Sequence, residues 1–481
     1  MADNNGSNGV FEDIQPKDFM NPVLPLKINT RLLEQEMEKG KSQKKWVLAF
    51  VIGTKPCFYK FWGSIQAADR QGIPNFIIDS NQHYDDILTY GMKEFNLSQK
   101  VGANLQIRGG LVEKTAELMY KIKWLSSYLQ KKWPNVAVVP VVLGDTILTS
   151  IVPAAWMFSR NERAIQNEAG LRSMCPEIMK APKSVPIDKF IEQQFYGNWM
   201  LLRNEPFPEQ FDTFISAAGS EYMFCPIELN RESLLREGHP KENIFVTGGV
   251  VVDALEERRK QKPKQSIFSI YPLLEKGDWI RVDIHRRDNT TERRFRAIIG
   301  AVKELVENGH NVAFIEMNAT KKAMENYGMA DVLSKLKGRK NFLHTNVWPE
   351  YGHVIEFFES KNCSMVLTDS GGVQEEMNLL GKVCLTCRFN TDRPETVNLA
   401  RGNLLVPPMD SEFIVRMAEY VKKDEGLQKQ MRSSQNLYGH DVGSKFIGIV
   451  DGLMQKEDHL FKWAHEALGL WKETNRDFNY L

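Results

Sequence analysis

The sequence predicts an α/β protein made of two parallel-sheet halves, and three observations carry that expectation. Apolar runs of strand length alternate with amphipathic helical stretches along most of the chain, the pattern of repeated β-α-β units. The alternation closes near Gly248-Gly249 and restarts at Trp279. With 481 residues the chain also has the length for two or three cores, and the single interruption favours two.

Taken in order, residues 1–45 are rich in Asn, Gly, Asp and Lys, with one helix-like stretch from Arg31 to Lys41, and read as an N-terminal extension, flexible or packed on the surface. The first half, 46–250, opens on the apolar run to Ile52, a buried strand that feeds the β-to-α turn Gly53-Thr54-Lys55-Pro56. Phe76–Ile78, Val136–Leu143 and Phe245-Val246 read as further strands, and Lys114–Trp133 as a helix. The charged run EERRKQKPKQ, 256–265, marks a solvated helix end leading out of the connection between the halves. The second half, 251–444, alternates through Trp279–Ile284, Val312–Ile315, Phe342-Leu343 and Met365–Thr368, then ends in helices. Residues 445–481 place Trp463, Leu468, Leu470 and Trp471 on one helical segment.

Composition excludes several classes of function. Lys plus Arg number 62 and Asp plus Glu 61, so nothing marks a general nucleic-acid or membrane-surface binder, and a bound phosphate must be met by local charge. The longest apolar run, Val136–Leu143, is strand-sized and interrupted by Pro140, far short of a membrane span. The start of the chain is polar and acidic, unlike a signal peptide, and the expected location is cytoplasmic. Six cysteines form no disulfide framework. Cys384 and Cys387 have CxxC spacing, but they fall on a predicted strand with no second pair and read as small core residues; nothing here calls for a metal or cofactor.

Residues 366–402 are the most informative stretch. An apolar strand end, Val366-Leu367, runs into Asp369-Ser370-Gly371-Gly372, and a helix-like segment follows with Glu375 and Glu376. Small residues with free N–H groups at a helix N-terminus suit an anion such as a diphosphate; the plainer alternative is an ordinary helix cap. A second block, Arg388 with Thr391, Asp392, Arg393, Pro394 and Glu395, has the groups to grip phosphate or sugar hydroxyls.

Together, TDSGGVQEE at 368–376 and TDRPE at 391–395 resemble the paired blocks of the UDP-N-acetylglucosamine 2-epimerase family, and the likeness extends with gaps over about residues 46–450. The resemblance implies a glycosyltransferase-B-like fold: two Rossmann-like domains facing a central cleft, with the C-terminal helix crossing back onto the first. It also implies a UDP-sugar substrate, no cofactor, and a homodimer formed through the first domain. The family's reaction eliminates the nucleoside diphosphate from C1 as a proton leaves C2, giving a glycal, and re-addition delivers the proton to the other face of C2.

Residue by residue, Gly144-Asp145-Thr146 looks like the family's GDT motif, making Asp145 an acid-base residue or, more plainly, a helix N-cap. Glu168 to Arg172 match EAGLR and Pro206 to Glu209 match PFPE, which nominates Glu168 and Glu209 as the leading acid-base pair and Arg172 as a substrate contact. His285 and Arg286 belong to a segment similar to HRREN, with His285 set against the leaving oxygen. Lys55 and Lys60 match phosphate-holding positions; Ser370, Gly371 and Gly372 take the diphosphate, Glu376 the ribose, and Arg393 balances charge. Gln82 and His83 resemble a cleft-side pair for substrate or regulation.

The departures cluster at the substrate end. GTRPE becomes Gly53-Thr54-Lys55-Pro56-Cys57, and PEE-x-NR becomes Pro208-Glu209-Gln210-Phe211-Asp212-Thr213. Several altered positions serve, in bacterial members, a second activating nucleotide-sugar site, which is expected to be missing or rebuilt. An insertion at about 174–203, rich in Pro and aromatic residues, separates Glu168 from Glu209 and reads either as a cover at the cleft rim or as an excursion packed on the first domain. The leading expectation is a 2-epimerase, hydrolysing or not. A glycosyltransferase on the same scaffold and a non-catalytic nucleotide-sugar-binding protein are the alternatives.

Overall fold

The computed structural model describes residues 23–81, 92–261, 263–348, 350–456 and 460–472. Strands are numbered in chain order. The first sheet has eight strands in the order β1 (Lys27–Ile28), β4 (Val101–Asn104), β3 (Asn75–Asp79), β2 (Val47–Ile52), β5 (Val138–Leu143), β6 (Ala164–Asn167), β9 (Ser220–Cys225) and β10 (Ile244–Val246). Every pairing in it is parallel except β1 with β4. The second sheet has six strands, all parallel: β13 (Phe342–Asn346), β12 (Asn311–Glu316), β11 (Trp279–Asp283), β14 (Cys363–Thr368), β15 (Val383–Thr386) and β16 (Asn403–Leu405).

Helices cover both faces of such sheets, so the central strands are apolar throughout rather than alternating, and β2 and β5 are buried at every residue. Pro140 is tolerated in β5 because β6 joins only from Val141 onward, leaving the proline a partner on the β2 side alone. All six cysteines are free and buried, Cys384 inside β15 and Cys387 just beyond it. Among the described residues no helix is long and apolar enough to cross a membrane.

Two expectations about the ends of the chain need correction. From residue 23 onward, the supposed extension is part of the first half. Lys27–Ile28 adds the antiparallel edge strand, and the helix Thr30–Gln43, capped by Asn29, buries Leu33 and Met37 against the sheet. Those two residues and Gly40 are spaced for one helical face, a signal outweighed in the sequence by the polar residues around it. At the other end, Leu468, Leu470 and Trp471 are exposed and follow a four-residue helix, Ala464–Ala467, so they form no buried helical face.

The helix that crosses back is Val442–Met454, which packs on the helix Lys55–Arg70. The contact is backbone-close at two glycines. A Cβ on Gly443 would lie 2.3 Å from the carbonyl carbon of Gly63, and one on Gly63 would lie 2.1 Å from Asp253 Oδ2. Asp253 in turn accepts the N–H groups of Val442 and Gly443 at 2.9 and 2.6 Å, so the start of this helix is anchored by a partly buried carboxylate.

The insertion is not an excursion packed on the first half. Its hairpin, β7 (Met174–Pro176) with β8 (Trp199–Leu201), and its helix Ile187–Tyr196 lie on the second half, although both ends of the segment are rooted in the first. Phe190, Ile191 and Phe195 are buried in the second half's core, each contributing roughly 1.5–3 kcal/mol if fully transferred from water. Phe190 and Phe195, two of the aromatic residues that favoured an acceptor-holding cover, are thus core residues, whereas Tyr196 is exposed.

The glycine contact gives a paired prediction. Gly443→Ala should lower unfolding free energy by about 1–3 kcal/mol through overpacking. Gly448→Ala, on the same helix with open space around it, should be neutral or stabilise by roughly 0.5–1 kcal/mol. Calorimetric melting of both variants checks the contrast.

Candidate functional site

Loops that leave the carboxyl ends of β5 and β6 meet loops that leave β11, β14 and β15, the position where open α/β sheets present ligand-binding groups. In the second half the organising group is Asp369, fully buried after β14. Its carboxylate accepts the N–H groups of His285 and Arg286 at 3.1 and 2.9 Å and the side-chain amide of Asn289 at 3.1 Å, stapling the loop after β11 to the loop after β14. Burial alone would raise its pKa, but His285 and these N–H donors hold it below the usual carboxylate range. His285 Nδ1 stands 3.1 Å from Asp369, and although burial disfavours the imidazolium, that carboxylate raises the histidine's pKa above its ordinary value.

Ser370 caps the helix Gly371–Leu380, with its Oγ accepting from Val373 N–H. A Cβ on Gly371 would approach Asp392 Oδ2 to 3.0 Å, so the glycine lets the TDRPE loop close over the helix N-terminus. That loop carries Arg393, a buried guanidinium that contacts Glu375 through Nε, Asp392 Oδ2 at 2.9 Å through Nη1 and Glu168 Oε1 at 2.9 Å through Nη2. Arg388, expected to grip substrate, instead holds Asp392 Oδ1 at 2.8 Å.

The first half supplies the carboxylates. Glu168 follows β6 in the left-handed region, φ +57°, uncommon for this residue type, and Asn167 Oδ1 accepts its N–H. Its Oε1 takes Lys60 Nζ at 2.6 Å as well as Arg393. A Cβ at Gly144 would come within 2.6 Å of Glu168 Oε2, so the glycine of the GDT segment makes room for the glutamate of EAGLR. Burial pushes the Lys60 ammonium down, but Glu168 and Glu375 offset this and its pKa ends above the ordinary value. Glu209, at the start of the helix Glu209–Ala218, lies 2.8 Å from Arg286 Nη1. Asp145 makes no ion pair among the described residues; burial, then the charge of Asp392, raises it to about 6.

The structure therefore gathers Asp145, Glu168, Glu209, Lys60, Arg286, Arg393 and the Ser370–Gly372 turn at one place. Arg172 is not among them: its Nε is 2.7 Å from Glu237, Nη2 also meets Glu237, and the guanidinium stacks 4.3 Å over Phe214. Its motif position carried no information about that neighbour, which lies 65 residues away. Lys55 is the first residue of its helix, with a side chain outside the described atoms, and Gln82 and His83 lie outside the described residues.

Three features escaped the sequence reading. Glu376, assigned to the ribose, accepts the Tyr351 hydroxyl at 2.9 Å, and Tyr351 stacks on Tyr59 of the first half, rings 4.7 Å apart and 5° from parallel. Asn390 joins Ser173 to Arg388 across the halves. Asp212, visible only as a departure from the PEE-x-NR block, accepts Ser150 Oγ at 2.6 Å; burial, with smaller contributions from Asp145 and Glu209, raises it to about 7.

Glu376 gives a pH prediction. Burial raises its pKa from 4.5 to about 7, so between those values the folded chain keeps a proton that the unfolded chain has released, and stability falls as pH rises through the window. Glu376→Gln keeps an acceptor for Tyr351 and removes the titration. Between pH 4.5 and 7 its unfolding free energy should gain on the wild type by up to on the order of 3 kcal/mol. A pH-independent difference in denaturant titrations would contradict the assignment.

A family model described as UDP-N-acetylglucosamine 2-epimerase matches residues 202–450. The UDP-N-acetylglucosamine 2-epimerase of Salmonella typhimurium is 30% identical over 403 residues, covering 81% of this chain and 94% of the relative. The Methanocaldococcus jannaschii enzyme of the same name is 28% identical over 411 residues, 84% of this chain and 98% of its own. A crystal structure of the latter in complex with UDP-GlcNAc and UDP superposes with a TM-score of 0.67, at 26% identity, over 84% of this chain and 99% of that one. A Listeria monocytogenes structure at 21% identity shares the fold with a TM-score of 0.69, covering 87% of this chain and 99% of that one. With the glycosyltransferase-B-like architecture and the motif residues gathered in one cleft, the chain belongs to the UDP-N-acetylglucosamine 2-epimerase family.

Proposed function

We propose that this protein inverts C2 of UDP-N-acetylglucosamine by elimination and re-addition, with its active site between the two halves. The observation that carries this reading is the meeting of Glu168 and Glu209 from the first half with Arg393 and Arg286 from the second, at 2.9 and 2.8 Å. The C2 proton is weakly acidic, and its removal becomes feasible when the C1–O bond to the diphosphate breaks in concert. That step needs a carboxylate at C2 and cations at the departing diphosphate. The electron pair of the C2–H bond becomes the C1–C2 double bond of a glycal, UDP carries away the C1–O pair, and the carboxylate holds the proton.

Re-addition reverses these changes with protonation on the opposite face of C2. Glu168 and Glu209 are the proposed acid-base pair. Asp145, raised to about 6, is suited to carry a proton near neutral pH. Lys60, Arg286, Arg393, His285 and the N–H groups at Gly371 and Gly372 take up charge on the diphosphate, while Glu376 serves the ribose. In this structure Lys60, Arg286 and Arg393 are each paired with a carboxylate, so the incoming diphosphate competes for them. The relatives named for UDP-N-acetylglucosamine support this substrate.

The same proposal includes a cytoplasmic homodimer formed through the first half. Six free thiols suit a reducing compartment. Val112, Tyr120 and Trp124 are exposed on the helix Leu111–Lys132 and Phe158 on the helix Ile147–Arg160 that packs against it, and these apolar groups suit a subunit contact.

Product analysis with UDP-N-acetylglucosamine tests the activity: the C2-epimeric UDP-sugar is expected, and free UDP with free epimerised sugar would identify a hydrolysing enzyme. Glu168→Gln and Glu209→Gln should each lower turnover by roughly 10²–10⁴-fold. UDP should still bind by calorimetry, because the cations remain. Loss of UDP binding in both folded variants would contradict the acid-base assignment.

A further inference from the structure

Residues 174–203 start and end in the first half yet are seated on the second. Gln194 is fully buried and reads the outer edge of β16 with both ends of its carboxamide: Oε1 accepts Leu405 N–H at 2.7 Å and Nε2 donates to Leu405 O at 3.0 Å. Phe190 meets Phe413 edge to face, ring centroids 5.4 Å apart. At the root of the segment, Met174 and Thr391 exchange two backbone hydrogen bonds of 2.8 and 2.9 Å. Asn390 binds Ser173 Oγ at 2.8 Å, Arg388 at 2.9 Å and Glu205 at 3.1 Å.

These contacts lead directly to the cleft. Arg388 holds Asp392, Asp392 holds Arg393, and Arg393 meets Glu168, while Glu205 lies four residues before Glu209. The ion pairs in the cleft supply little net attraction, because buried charges give back in desolvation most of what they gain by pairing. The apolar face of the insertion has no such offset, and the carboxamides of Gln194 within it and Asn390 on the second half leave few alternative registers.

We propose that residues 174–203 are a permanent cross-tie that holds the two halves closed before substrate arrives, with Gln194 and Asn390 as positioning residues for the Glu168–Arg393 and Glu209–Arg286 pairs. The enzyme then needs neither an effector nor ligand-driven closure to assemble its site. Only the kinetic part of this proposal rests on the epimerase reading.

The test places spin labels at Lys123→Cys and Lys335→Cys, exposed positions on the first and second halves, the native cysteines being buried. Pulsed-EPR distances should be narrow in the otherwise wild-type protein and unchanged by saturating UDP. In Gln194→Ala/Asn390→Ala, and independently in Phe190→Ala, the distribution should broaden without UDP and narrow again with it. The KM should rise by about tenfold or more while kcat changes much less, since only the closed fraction binds productively. A wild-type distance that shifts on adding UDP overturns the proposal whatever the variants do, as do folded variants whose distribution stays as narrow as the wild type's. Absence of turnover in a wild-type protein that binds UDP would count against the epimerase reading and leave the distance test intact.

Discussion

A guanidinium withdrawn from water is stable only where carboxylates replace its hydration, and Arg393 has three of them, from Glu375, Asp392 and Glu168. The first two come from its own half and the third from the other. The cost of burying the charge is therefore offset fully only when the halves are together, which couples the chemistry of the cleft to the arrangement of the whole molecule. Lys60 shares Glu168 and lies 4.0 Å from Glu375, so the same network extends into the first β-to-α helix. Every group assigned to proton transfer or to the diphosphate lies in this network or next to it.

Pairing of this kind sets geometry better than it sets strength. The strength comes from apolar contacts placed around the charges: the Val442–Met454 helix on the first half, the Tyr59–Tyr351 stack across the cleft, and the insertion helix in the second half's core. The division suits the proposed reaction, in which the cations release their carboxylates to a diphosphate. Cohesion resides in residues outside the ion-pair network, so the pairs can exchange partners without the fold loosening.

Much of this was legible in the sequence because it is written locally. Val47–Ile52, Val138–Leu143 and Cys363–Thr368 are strands within the apolar runs that predict them, and the TDSGG turn caps its helix where the small residues fall. What escaped depends on partners distant in the chain. Nothing at Arg172 announces Glu237, and nothing in Phe190 or Phe195 says which of two cores they enter. Leu33 and Met37 did carry a helical spacing, but in a segment too polar overall to read as part of a sheet edge. Asp212 was visible as a departure from its motif, while its hydrogen bond to Ser150 belongs to a helix pairing that no spacing encodes.

The central claim is that carboxylates and cations converge in this cleft to take a proton from C2 as the diphosphate leaves C1. The most direct test is NMR of the protein with UDP-N-acetylglucosamine in heavy water, following the C2 proton signal. The elimination route predicts that deuterium enters C2 at least as fast as the epimer accumulates, in both epimers at equilibrium. Epimer that forms while C2 keeps its original proton would contradict that route, and no exchange at all from a protein shown to bind UDP would contradict the assignment of this substrate.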